Sequence, residues 1–245
     1  MGRTIEEVVE MKSYKDLFCY YHECFSLVDY IHFNSEVTRC EYEKVLGQMT
    51  GLTIPITHGG IKDNRHVKTF SESGLVVGFI GSDAPYKGLS VLKEVIADLD
   101  VNVMVWGVGI HTIPHGVFEH DKTSGKVHYR GKFNKEQLPN VYEEIDLLVV
   151  PSIWKETFSL VTLEALSFGV PVLVSDNVGA QDVIKTYNSA FVYHNIKELR
   201  DMLETLVDNK EALIEFNQSI LDKPWTHDIR SHAKEIIAQI YINNL

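Results

Sequence analysis

Short apolar runs recur along most of the chain, each followed by a loop and then by a stretch whose apolar positions recur at helical spacing. Leu75–Ile80, Val101–Trp106, Val127–Gly131 and Leu147–Val150 read as strands, with further strands over residues 170–175 and 190–193. Continuous apolar runs of this length suit strands buried on both faces of a sheet. The spacing predicts helices from residue 89 to about 99, over 138–145, from a start near Thr157 or Ser159, and after the turn at 176–184. Two more follow over 196–207 and 210 to about 221. Pro224 and Trp225 then break the chain before a last amphipathic helix over 227–240. Strand and helix alternate, so the predicted fold is α/β, a doubly wound parallel sheet with helices on both faces.

The first fifty residues are different. They read as helical segments around one strand over 30–34, with Ser35 capping the following helix to Leu46 and Gly47 and Gly51 closing it. That is too little chain for a complete α/β domain.

One unit carries the most chemistry. After Leu147–Val150, Pro151 ends the strand, and Thr157 or Ser159 is placed to cap the first turn of the next helix. Gly169 sits just past its last residue and Pro171 follows, giving a β-α-β unit. Glu156 lies in the loop before the helix and Glu164 roughly two turns in. A helix N-terminus at the carboxyl end of a parallel strand offers N–H groups and partial positive charge to a phosphate. A carboxylate on either side then suits two hydroxyl-rich parts of one ligand, the shape of a nucleotide-sugar. The loop Gly81-Ser82-Asp83-Ala84-Pro85-Tyr86-Lys87-Gly88 also leads from a strand into a helix and suits phosphate approach.

Glu156, the seven residues before Glu164, and the run Ala165-Leu166-Ser167-Phe168-Gly169-Val170-Pro171-Val172, preceded by Pro151-Ser152, resemble the signature of the retaining GT-B glycosyltransferases of group 1, also called glycosyltransferase family 4. The resemblance runs from about Thr57 to the end. It implies metal-independent, retaining transfer of a sugar from a nucleoside diphosphate to an acceptor hydroxyl, with no cofactor and no metal. Glu156 and Lys87 are the catalytic residues it implies, Glu156 holding the donor sugar and Lys87 neutralising the diphosphate. Glu164 is implied to bind the ribose hydroxyls. Thr157, Phe158, Ser159 and Leu160 are implied to line the donor, the last three through their N–H groups. Gly81 and Ser82 open the phosphate loop, and Ser82 stands where the family carries arginine. Gly131, Lys132 and Phe133 match the shelf under the base, and Gly107-Val108-Gly109 matches a Gly-x-Gly beside the donor. In the stretch 54–61 His58 and Gly59 stand where the family has Pro-Asn-Gly.

The same resemblance divides the chain into residues 1–57, a remnant of an acceptor-side domain with its linker; 58–223, a Rossmann-like nucleotide-sugar-binding domain; and 224–245, a helix that crosses back to the N-terminal domain or docks on its own. This chain alone is therefore expected to transfer little sugar. The partner expected is a nucleotide-sugar donor. The acceptor, whether sugar, lipid or protein, is left open, and so is peripheral membrane contact through the rest of an N-terminal domain.

Composition narrows the alternatives. The formal net charge of −11 argues against nucleic acid or an anionic membrane as a general partner. No apolar run approaches the ~20 residues of a spanning helix, and the start does not read as a signal peptide. The three cysteines, Cys19, Cys24 and Cys40, lack zinc or redox spacing, so reduced thiols and a cytoplasmic location are expected. Asp98 and Asp100 read as a solvated turn rather than a metal site, and the histidines make no ligand pair on one helical face. A glycosidase needs its carboxylates about 5 to 9.5 Å apart, whereas eight residues of helix rise about 12 Å. A sugar-nucleotide epimerase of the same architecture and a non-catalytic partner subunit with a weakened site remain as alternatives.

Overall fold

The computed structural model describes residues 13–108 and 125–242. The predicted connection over 109–126, including Gly109, falls mostly outside these residues, as does the start of the chain.

Helix α1 (Tyr14–Ser26) leads into β1 (Ile31–Phe33), α2 (Glu36–Leu46) and β2 (Gly51–Thr53). Strands β1 and β2 pair in parallel, Ile31 opposite Gly51 and Phe33 opposite Thr53. Ser35 caps α2 as predicted, its hydroxyl accepting from Thr38 N–H. Gly51, however, does not close that helix. Gly47, at φ 83°, already ends it, and Gly51 opens β2, where a Cβ would stand 2.2 Å from the Ile31 carbonyl. A strand of three residues led by glycine carries no apolar run to announce it. Neither α1 nor α2 has a buried residue.

The main sheet contains β3 (Leu75–Ile80), β4 (Val101–Trp106), β5 (Val127–Gly131), β6 (Leu147–Val150), β7 (Val172–Ser175) and β8 (Val192–Tyr193). All pairings are parallel, in the order β5-β4-β3-β6-β7-β8. The chain thus starts at the centre, runs to one edge, returns beside β3 and runs to the other edge, which is the doubly wound arrangement. Interleaved are α3 (Leu89–Val95), α4 (Leu138–Glu143), α5 (Leu160–Leu166) and α6 (Gln181–Tyr187). Then come α7 (Ile196–Asp208), α8 (Glu211–Asp222) and α9 (Ile229–Ile236), the last continued by a π-helical turn over Ile237–Ile242. Several elements are shorter than predicted. The α3 helix stops at Val95, its tail continuing as turns in which Leu99 N–H reaches the Ile96 carbonyl. The strand expected over 190–193 begins as a 3-10 turn at Ser189–Phe191, capped by Asn188.

Leu75, Val77, Val103, Leu147, Leu148, Val172, Leu173 and Val174 have no measurable exposure. Each contributes roughly 1.5–3 kcal/mol by burial. Buried Asp146, just before β6, accepts from the N–H groups of Ser71 and Val76 at 2.8 and 2.9 Å and from the Ser71 hydroxyl, with Lys210 Nζ 3.7 Å away. These bonds fix β6 against β3, the two strands whose ends frame the site. At the other end Thr57 donates to the His227 carbonyl at 2.6 Å. The His32 and His232 rings lie 5.7 Å apart, so α9 rests against β1.

Candidate functional site

Between β3 and β6 the sheet reverses its order of winding. Their following connections diverge to opposite sides and leave a crevice at the carboxyl ends of the strands. Loop 81–88 enters this crevice from β3 and loop 151–159 from β6. They touch through backbone: Ile153 N–H donates to the Tyr86 carbonyl at 2.9 Å. Gly88, at φ 78°, lies against the Pro151 carbonyl. Neighbouring strand ends are tied the same way, with Gly81 N–H to the Trp106 carbonyl at 3.0 Å and Gly107 N–H to the Gly131 carbonyl at 2.9 Å.

This packing brings Lys87 and Glu156 together. Lys87 Nζ stands 2.7 Å from Glu156 Oε1, and the hydroxyl of buried Ser152 donates to the same oxygen. The Glu156 backbone is stitched to the loop after β7, its N–H to the Asn177 carbonyl at 2.9 Å and its carbonyl accepting from Gly179 N–H at 3.0 Å. A cavity of about 20 Å³ lies here, lined by Lys87, Ser152, Glu156 and Ser159 among others. The side chains of Lys87 and Glu156 are only 31% and 12% exposed, so their attraction is less screened than that of a surface pair.

The predicted side-chain cap on α5 is not formed. Ser159 occupies the N-cap position, but at φ 98° it lacks the extended backbone from which a cap side chain reaches the first turn, and it makes no cap bond. It is the one non-glycine with positive φ among the described residues. Thr157 lies before the N-cap position, and its backbone carbonyl accepts from the Ser35 and Thr38 hydroxyls at 2.6 and 3.0 Å. In the first turn of α5 Thr162 N–H reaches the Ser159 carbonyl at 3.3 Å, and the N–H groups before it have no side-chain cap. Phe158 is buried in the core, while Leu160 is half-buried.

Glu164 has a neighbour at each carboxylate oxygen. The phenol of Tyr142 donates to Oε2 at 3.3 Å, and His58 Nε2 stands 3.5 Å from Oε1. Tyr142 stacks on Phe168 at 5.1 Å between ring centroids. Burial, and secondly the charge of Glu164, raise its phenol well above the ordinary range, so it stays a donor. Ser152, Tyr142 and His58 were not singled out as side-chain partners from sequence. Only the departure at His58 from the resembled family signalled that position.

The remaining predicted residues spread along the same carboxyl edge. Gly81 and exposed Ser82 follow β3. Gly131 ends β5 and exposed Lys132 and half-buried Phe133 follow it, two strands away from β3. Asp98 and Asp100 lie in the exposed turn expected, where Arg200 grips the Asp98 carboxylate with two bonds of 2.7 and 2.8 Å and holds it below the ordinary carboxylate range. Among the described residues no group of three or more His, Cys, Asp or Glu is placed to hold a metal, and no helix is long and apolar enough to cross a membrane.

The family model for glycosyl transferases group 1 matches residues 60–220. An uncharacterized 41.2 kDa protein in the cps region of Klebsiella pneumoniae is 37% identical over 106 residues, 43% of this chain and 29% of that protein. A D-inositol 3-phosphate glycosyltransferase of Corynebacterium glutamicum is 27% identical over 175 residues, 66% of this chain and 42% of the enzyme. The chain thus spans less than half the length of these relatives. In fold it is similar to Anabaena HepE in complex with UDP, with a TM-score of 0.73 at 18% identity over 97% of this chain and 70% of HepE. It is also similar to the sucrose-phosphate synthase of Thermosynechococcus elongatus, with a TM-score of 0.71 at 15% identity over 98% of this chain and 64% of the other.

Proposed function

The chain belongs to the group 1 glycosyl transferases, and we propose that it forms the donor-binding part of a retaining enzyme that takes a sugar from a nucleoside diphosphate without a metal ion. The observation that carries this reading is the Lys87–Glu156 pair, 2.7 Å apart at the switch point of the sheet. A sugar diphosphate lying across that crevice presents its phosphates to the cation and its sugar to the carboxylate. In this structure each charge compensates the other. A bound diphosphate takes over Lys87 and leaves Glu156 facing the sugar.

As the bond from the anomeric carbon to the diphosphate oxygen breaks, negative charge grows on the leaving group and positive charge on the sugar. Lys87 and the uncapped N–H groups before α5 stabilise the first, and Glu156 the second. Glu164 sits on the far side of that helix start, where it accepts from the ribose hydroxyls. Gly131 to Phe133 supply a shelf at the edge of the crevice for the base. The Anabaena neighbour crystallised with UDP and glucose supports a donor of this class.

Calorimetric titration of UDP, GDP and ADP, each with and without EDTA, tests the reading. One diphosphate is expected to bind with affinity unchanged by chelation, and strict dependence on a divalent ion overturns the metal-free part. A second reading, a partner subunit that binds the nucleotide without turning it over, is favoured by Ser82 at the position where the resembled family has a cation. Hydrolysis or transfer of the donor sugar by the purified protein excludes it.

A further inference from the structure

The stretch that joins β2 to β3 carries a histidine into the candidate donor site. His58 Nδ1 accepts the N–H of Gly60 at 3.0 Å, so in the neutral ring Nδ1 is unprotonated and Nε2 bears the hydrogen. Nε2 stands 3.5 Å from Glu164 Oε1, a close approach rather than a formed hydrogen bond. Gly60 is part of the arrangement: a Cβ there would stand 2.8 and 2.9 Å from His58 Cε1 and Nδ1. The other carboxylate oxygen is taken by the phenol of buried Tyr142. Glu164 thus has a core phenol bonded to one oxygen and a loop imidazole beside the other.

We propose that His58 is a positioning residue for nucleotide binding, its Nε2 edge steadying the Glu164 carboxylate in the orientation from which it accepts hydrogen bonds from a ribose diol. This rests on the reading of Glu164 as the ribose-binding residue. A carboxylate oxygen has lone pairs to spare, so the neighbouring imidazole leaves room for a ribose hydroxyl on the same atom. Without His58 the carboxylate keeps only the bond to Tyr142 and can rotate about it. A free rotor loses affinity because binding must then order it.

The test is titration of UDP, GDP and ADP into the unsubstituted chain, then of the tightest of these into His58→Ala, His58→Gln and Glu164→Gln and into the His58→Ala/Glu164→Gln double variant. Each is also titrated with the matching 2′,3′-dideoxy nucleotide. His58→Ala is expected to weaken the diphosphate about fivefold to tenfold and to leave the dideoxy analogue unchanged. His58→Gln restores a donor at the Nε2 position and should recover most of the loss. The double variant should bind no more weakly than Glu164→Gln alone, since the histidine acts through the carboxylate. If Glu164→Gln weakens binding while His58→Ala does not, or if His58→Ala weakens both nucleotides equally, the positioning role is wrong and the donor site stands. If neither substitution changes any affinity, or no diphosphate binds the unsubstituted chain, the ribose assignment of Glu164 falls and the proposal with it.

Discussion

Gly88 and Pro151 meet backbone to backbone, closely enough that a Cβ on Gly88 would stand 1.8 Å from the Pro151 carbonyl oxygen. This contact lets the loops from β3 and β6 close on each other, and Lys87 and Glu156 extend from those two loops. Gly88 also holds φ 78°, which an L side chain rarely adopts. Gly88→Ala should destabilise the protein by about 2–5 kcal/mol through the backbone clash and strain. Gly59→Ala, where nothing lies within 4 Å, should shift stability by no more than about 0.5 kcal/mol. Urea unfolding of both variants checks the contrast.

Glu156 holds Lys87 at 2.7 Å, so under the proposed function it competes with a diphosphate for that cation. Glu156→Gln should therefore leave plain diphosphate affinity unchanged or raise it a few-fold, while transfer falls by about 10²-fold or more. Calorimetry gives the first and donor turnover, measured with the acceptor side of the enzyme present, the second. A marked loss of diphosphate affinity in this variant contradicts the division of labour between the two residues.

Glu164 should fail in a different way. A ribose diol is the same in substrate and transition state, so its loss is uniform. Glu164→Gln should weaken a diphosphate and its sugar conjugate equally, by about 1–3 kcal/mol for a charge-assisted hydrogen bond, with kcat little changed. Parallel titrations of the two ligands provide the check.

His227 gives the protein an acid-sensitive element. It pairs with the Tyr187 hydroxyl at 3.1 Å, and burial first, then the nearby Arg65 charge, push its pKa down from 6.5 to about 4. The unfolded chain then binds the proton more readily than the folded one, so stability rises with pH across that interval. The contribution is fully present above about pH 6.5, declines as pH falls, and is lost by about pH 4, with a total of about 3 kcal/mol. Thermal melts from pH 4 to pH 7 should show this slope, and His227→Gln should flatten it.

Much of the sheet was legible in the chain because each strand is a local event. Leu75–Ile80, Val101–Trp106, Val127–Gly131 and Leu147–Val150 lie where the apolar runs place them, since a run bounded by glycine, proline or charge has one way to bury both faces. Lys87, Glu156 and Glu164 were also picked out from sequence, each by its place in a strand-loop-helix unit. Which of them meet was decided only by the tertiary structure. Lys87 faces Glu156 because β3 and β6 are neighbours, and strand order has no periodicity to read. The Tyr142 and His58 contacts to Glu164 join loops and helices far apart in the chain. The positive φ of Ser159 and the three-residue β2 were likewise hidden. In both, the packing of neighbouring backbone overrides what the local residues prefer, and no apolar pattern records that pressure.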